Sequence, residues 1–208
     1  MLLVIAMASM LIDHIGFIFF PGDEAYRIVG RIAFPLYCWF LVQGFRHTRD
    51  HGKYMRRLLW LACLSQIPFA LALQLPKLNV IFTLLLSMAA MYAWERIPSE
   101  KRFPVLTAAA FAAAAIVPMD YGLYGVLLVF LYRYCDRKAV LVTHAILNAA
   151  FWLLYGPSYA IQMFSLLGSL LILLPLPERA VRRGRWLYRA FYPAHLAVLF
   201  ALRALLKT

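Results

Sequence analysis

The sequence predicts an all-α fold: one polytopic transmembrane domain, residues 1–208, built of about nine short helices with the N-terminus inside the cell. Three observations predict it. The 208 residues are 64% hydrophobic and only 14% charged, with a mean hydropathy of +0.76, whereas a soluble domain is nearer half apolar and a quarter charged. The apolar residues fall into runs close to the length that crosses a hydrocarbon core, about 20 residues. The basic residues gather in every second loop between those runs.

Taken in order, the candidate spans are residues 2–20, 26–45, 54–73, 78–94, 103–118, 121–134, 138–155, 159–176 and 187–206. The first lacks a basic leader and carries Asp13 and His14, so it reads as a retained helix and not as a cleaved signal. The sixth is short and has to thin the bilayer or enter it partway. It is kept because dropping it would move "RYCDRK" to the opposite side from the other basic loops. Pro and Gly punctuate the ends, at Pro21-Gly22, Pro76, Pro118, Gly156-Pro157, Pro175 and Pro177. Pro35, Pro68 and Pro193 fall inside spans, where they kink helices and free backbone carbonyls.

The loops set the orientation. "RHTRDHGKYMRR", "ERIPSEKR", "RYCDRK" and "PERAVRRGRWLYR" hold 16 of the 21 Lys and Arg, while "PGDEA", "QLPK", "PMD" and "YGPS" hold only Lys77. This asymmetry places the first set in the cytosol. It also accounts for the net charge of +12 without nucleic acid, which is not expected as a partner. Cys38, Cys63 and Cys135 are scattered, and they suit small buried positions better than a disulfide frame or a metal site. No internal repeat is visible, which argues against the two-half architecture of many transporters.

Polar groups within the spans carry the functional signal, because charges in a bilayer are costly and mark pathways or sites. With the N-terminus inside, Asp13 and His14 lie in the outer half of the first span, and Arg27 and Arg31, four residues apart, in the outer half of the second. Asn79, Asp120 and Tyr121 begin helices on the same side. Two arginines, two aspartates and a histidine therefore converge in the outer half, with Asp13–Arg31 the expected ion pair. Asp13 and His14 are adjacent, so on a helix they diverge by about 100°. If His14 is a base, its orienting partner must come from another helix. An ion-pair network that merely holds helices together accounts for the same charges. His144, with Asn148 one turn on, and His195 can equally be interhelical hydrogen bonders. On the cytosolic rim, His47, Arg49, Lys53 and Arg57 could hold a phosphorylated ligand, or serve only topology and lipid headgroups.

The runs "MASMLIDHIGFIFFP", "RIVGRIAFPLYCWFLVQGFRHTRD", "KYMRRLLWLACLSQIPFAL", "LNVIFTLLL", "MDYGLYGVLLVFLYRY" and "WLYRAFYPAHLAVL" together resemble the TraX family, in order and over nearly the whole chain. That family is similar to a wider group of integral-membrane acyltransferases and is associated with acetylation of pilin subunits. The resemblance implies a bacterial inner-membrane enzyme that takes an acetyl group from cytosolic acetyl-CoA, as donor substrate and without a metal. The acceptor would lie at the outer side: a pilin-like peptide, a glycan or a lipid. His14 of "DHIG" matches the essential histidine of an early helix, and Arg31 of "GRIAFP" and His195 of "FYPAH" fall in the other recognisable segments. Many relatives carry a Lys near the start of the first helix, where this chain has "MLLVIAMAS".

Under that implication His14, Asp13 and Arg31 are the candidate catalytic residues. Arg27, Asn79, Asp120, Tyr121 and His195 are candidates for acceptor binding, and His47, Arg49, Lys53 and Arg57 for acyl-CoA binding. A histidine base works near neutral pH without a large shift. Arg31 and Asn79 would orient the acceptor or meet oxyanion charge. Direct transfer and a transient acyl-histidine both satisfy these expectations. A non-catalytic assembly or secretion partner and a small transporter are the competing readings.

Overall fold

A computed structural model of the chain describes residues 1–101, 117–175 and 185–206, the side chains of 185–189 excepted. Nine α-helices appear among the described residues: α1 Leu2–Phe19, α2 Glu24–Gly30, α3 Ala33–His47, α4 His51–Leu73, α5 Val80–Trp94, α6 Gly122–Tyr134, α7 Val140–Tyr155, α8 Leu166–Leu173 and α9 Arg185–Leu206. A 3-10 segment, Pro157–Ser165, leads into α8. There is no strand among the described residues; one isolated bridge joins Leu78 to Met119. The expected span 103–118 lies outside the described residues except for its last two positions, as does most of the basic loop 177–189.

The helices begin where short polar side chains can take up free backbone N–H groups. Asp23 accepts from Ala25 N at the start of α2, Asp50 from Lys53 N at the start of α4, and Asn79 from Ile81 N at the start of α5. The expected second span is broken into α2 and α3 at Arg31-Ile32. Pro35 explains the site of the break: its ring clashes with the carbonyl four residues back, which belongs to Arg31, and it supplies no N–H to that carbonyl. Pro68 and Pro193 sit inside helices that stay continuous. The expected eighth span likewise differs, its first half winding as the 3-10 segment. The sixth is α6, 13 residues or about 20 Å of rise.

α3 runs through the centre, touching α1, α5, α6, α8 and the 3-10 segment, and its Leu36, Cys38 and Val42 are fully buried. α1 pairs closely with α2. A side chain on Gly30 would put its Cβ 2.0 Å from Asp13 Oδ1, and one on Gly16 would meet Tyr26 Cβ at 2.1 Å. The outer surface is apolar: Trp60 is 77% exposed on α4 and Leu153 78% on α7. Of the other cysteines, Cys63 is exposed on this face and Cys135 half-buried, against the expectation that all three are buried. Such a surface suits a lipid solvent. Three apolar stretches, Leu2–Phe19, Glu24–His47 and His51–Leu73, are long enough to cross a membrane. This is a membrane protein built as an all-α bundle.

The loops sort to two ends, as their charges predict. At one end Arg46 donates to Arg133 O (3.1 Å), Arg133 pairs with Glu95 (2.6 Å) and Arg137 donates to Leu173 O (3.1 Å), so the described basic loops meet. At the other end Leu78 N donates to Pro118 O and Asp120 N to Leu78 O, both at 2.9 Å, and Lys77 pairs with Asp120 at 2.8 Å.

Candidate active site

The second of these ends holds a cavity of about 720 Å³. Its walls come from α1 (Met10, Asp13, His14, Phe17), α2 and α3 (Arg27 to Tyr37), the bridged loops (Leu75, Lys77, Val117 to Leu123), α7, the 3-10 segment (Tyr159, Gln162) and Tyr192 of α9. Every charge expected to converge in the outer half, Asp13, His14, Arg27, Arg31 and Asp120, lines it, together with Tyr121.

Asp13 is shared by two guanidiniums, Oδ2 with Arg27 at 2.9 Å and Oδ1 with Arg31 at 3.2 Å. The missing side chain at Gly30 lets the carboxylate sit against α2. Arg31, at the break before α3, is held on three sides. Its Nε donates to Arg27 O (3.3 Å), Nη2 to Asp13 and Nη1 to Gln162 Oε1 (3.2 Å). A guanidinium has five N–H donors, so two remain after these three bonds. Tyr121 takes a left-handed backbone (φ 64°), which turns its ring onto Phe34 at 3.7 Å between centroids and under the Arg31 guanidinium at 5.7 Å. Asp120 is neutralised by Lys77, and its backbone carbonyl accepts from the Thr83 hydroxyl.

His14 diverges from Asp13, as helical geometry requires, and its partner comes from another helix. His14 Nδ1 lies 2.8 Å from His195 Nε2 on α9. His195 in turn contacts Phe191 O through Nδ1 at 2.7 Å. His195 does not itself line the cavity; it stands behind His14. Asn79 is also set apart. It caps α5, and its amide donates to Ala62 O and Gln66 Oε1, each at 2.9 Å.

Two residues outside the expected set matter. Gln162 is 3% exposed and lines the cavity. Its Oε1 is committed to Arg31, while its Nε2 has no hydrogen-bond partner. That nitrogen is itself buried, so what Gln162 brings to the cavity wall is the oxygen that holds Arg31. Its signal in the sequence was an amide inside an apolar run, weaker than a charge. Gln66, which fixes Asn79, carries the same signal.

A second buried polar cluster is closed. His144 Nε2 meets Tyr124 OH (2.9 Å) and Ser165 Oγ (3.1 Å), and Nδ1 meets Ser169 Oγ (2.6 Å). Tyr124 OH also reaches Asn148 Oδ1 at 2.8 Å. None of His144, Asn148, Ser165 and Ser169 lines the cavity.

His47, Arg49, Lys53 and Arg57 are exposed at the basic end, and along α3 His47 lies ten residues, about 15 Å, beyond Tyr37, the last residue of that helix to line the cavity. His47 Nδ1 bonds Gln43 O at 2.8 Å and Arg57 lies over the Tyr54 ring. Among the described residues no group of three or more His, Cys, Asp or Glu could hold a metal ion.

A family model described as "TraX protein" matches residues 1–203. The chain is 34% identical to a probable fimbrial assembly protein FimC, serogroup H1, of Dichelobacter nodosus, over 98% of this chain and 95% of that one. It is 42% identical to the uncharacterized protein RP591 of Rickettsia prowazekii (strain Madrid E) over 45 residues, 22% of this chain and 18% of that one. No solved structure matches.

Proposed function

The chain belongs to the TraX family, and from that premise we propose an integral-membrane acyltransferase that crosses the bacterial inner membrane several times, N-terminus in the cytosol. It moves an acetyl group from cytosolic acetyl-CoA to an acceptor at the outer side. The observation that carries the reading is His14, lining a 720 Å³ cavity beside an arginine clamped by Asp13. The name of the Dichelobacter relative supports a pilin-like acceptor; the aromatic walls suit a glycan or lipid headgroup as well.

In this reading His14 removes the proton from the acceptor amine or hydroxyl as that atom bonds to the thioester carbonyl carbon. The oxyanion that forms is met by the two spare N–H groups of Arg31, whose guanidinium is already fixed in place before reaction by Asp13 and by Gln162 Oε1. Collapse expels the CoA thiolate, which takes the proton from His14. Asp13 holds Arg31 and balances its charge. Arg27, Asp120 and Tyr121 shape the acceptor end. Asn79 serves by holding α5 in place. His47, Arg49, Lys53 and Arg57 receive the phosphates of CoA at the cytosolic rim.

The test is incubation of purified protein with labelled acetyl-CoA and native membranes, followed by identification of the labelled product. Transfer is expected for the wild type and its loss, by 10²-fold or more on the order expected for a general base, for His14→Ala. Full transfer by that variant would sink the role of His14. A non-catalytic assembly partner also fits the relative's name, and it predicts no labelled product at all.

A further inference from the structure

Resting on the reading of His14 as the base, we infer that His195 is a positioning residue that fixes which nitrogen of His14 faces the acceptor. The inference starts from an atom that has no choice. Phe191 O is a carbonyl and can only accept, so its 2.7 Å contact with His195 Nδ1 requires a proton on Nδ1. A neutral His195 then carries a lone pair on Nε2. That lone pair faces His14 Nδ1 at 2.8 Å, so His14 Nδ1 bears the proton and donates it. The neutral His14 is thereby the Nδ1–H tautomer, and its basic lone pair is on Nε2, the nitrogen left for the cavity that His14 lines.

The ring geometry supports a true hydrogen bond. The two imidazoles lie within 7° of parallel with centroids 5.1 Å apart. That separation is about the 2.8 Å N···N distance plus one ring radius at each end. The contact therefore lies in the plane of both rings, where N–H and lone pair point, and not face to face. The "FYPAH" segment supplies each part of the support. Phe191 gives both the carbonyl and a ring stacked on His195 at 4.7 Å, and Tyr192 packs edge-on to His195 at 5.6 Å and to His14 at 6.3 Å. When His14 Nε2 takes the acceptor's proton, the Nδ1–H bond to His195 stabilises the imidazolium, the role a carboxylate plays in a serine-protease triad. His195 touches no substrate.

The tautomer can be read directly. In membrane-reconstituted protein labelled with ¹⁵N-histidine, His14 is expected to carry its proton on Nδ1; a proton on Nε2 in the resting wild type overturns the inference without any variant. His195→Leu is expected to lower kcat for acetyl transfer by a factor on the order of 10² or more, with the KM for the acceptor unchanged and His14 no longer held as the Nδ1–H form. His195→Gln, whose amide oxygen can accept the same N–H, is expected to recover most of that loss. Wild-type transfer by His195→Leu, with His14→Ala inactive, overturns the positioning role and leaves the base in place. Wild-type transfer by both overturns the reading of the site itself.

Discussion

Two of the buried histidines in this bundle, His14 and His144, each sit in a polar cluster, and they differ in one respect. His144 has both ring nitrogens engaged, by Tyr124, Ser165 and Ser169. His14 has one nitrogen engaged, by His195, and lines a cavity. Burial does not separate them: His144 is fully buried and His14 is 8% exposed. Spare hydrogen-bonding capacity beside open space does. A cluster whose capacity is used up ties helices together; one that keeps a free imidazole nitrogen and two guanidinium N–H groups on residues that line a cavity is built to receive something. Gln162 belongs to both, its backbone carbonyl accepting from Asn148 in the closed cluster and its side chain held by Arg31 at the open one.

The sharpest way to break this contrast is at Asp13. Asp13→Ala leaves Arg27 and Arg31 side by side without their shared counter-ion, Arg31 with a side chain only 11% exposed. Removing one partner of such a buried pair costs about 3 kcal/mol or more. Thermal unfolding in detergent should therefore fall well below the wild type, and acetyl transfer should be lost with it. If Asp13→Ala is as stable as the wild type, the ion cluster does not hold α1 to α2 and the account of the open region is wrong.

The closed cluster predicts a smaller and cleaner effect. His144→Phe keeps a ring in the core but removes the imidazole's bonds to Tyr124, Ser165 and Ser169, whose hydroxyls keep Asn148 and Tyr132 as partners. Interhelical hydrogen bonds in membranes are each worth about 0.6 kcal/mol, and up to about 1.7, so a loss of about 1–2 kcal/mol is expected. The folded fraction should turn over acetyl-CoA at the wild-type rate. A kcat loss comparable to that of His14→Ala would move His144 from the scaffold into the chemistry.

Much of the open region was legible in the sequence because charge in a bilayer is costly enough to locate. The alternating basic loops assign an expected end to each polar group, and that assignment alone placed Asp13, His14, Arg27, Arg31 and Asp120 together, where they line one cavity. The i, i+4 spacing of Arg27 and Arg31 placed both on the face that meets Asp13. Pro35 marked a disturbed helix, and the carbonyl it frees lies at the observed break. What stayed hidden depended on which helix neighbours which. Periodicity says that His195 lies on a helix, not that α9 packs beside α1, so its place behind His14 was out of reach. Gln162 was missed because an uncharged amide in an apolar run costs little, and because a 3-10 segment does not follow the helical period that assigns faces. Asn79 was read by its depth, when its position just before an apolar run also marked it as a cap.

The least disruptive change tests whether the two ends of the bundle divide the work. Arg49 and Lys53 are exposed at the basic rim, and no described side chain pairs with either. Exposed positions of this kind contribute within about 0.5 kcal/mol to stability, so Arg49→Gln with Lys53→Gln should unfold like the wild type. If the rim receives the phosphates of CoA, the double variant should raise the KM for acetyl-CoA several-fold at low salt, and less at high salt, where screening already weakens the contact. Its kcat should not change, since along α3 the rim lies about 15 Å beyond the last residue that lines the cavity. A fall in kcat would mean that the rim and the cavity act as one site. An unchanged KM at every salt concentration would return these residues to topology and lipid contact, and the donor would then have to reach His14 by a route that the rim does not guard.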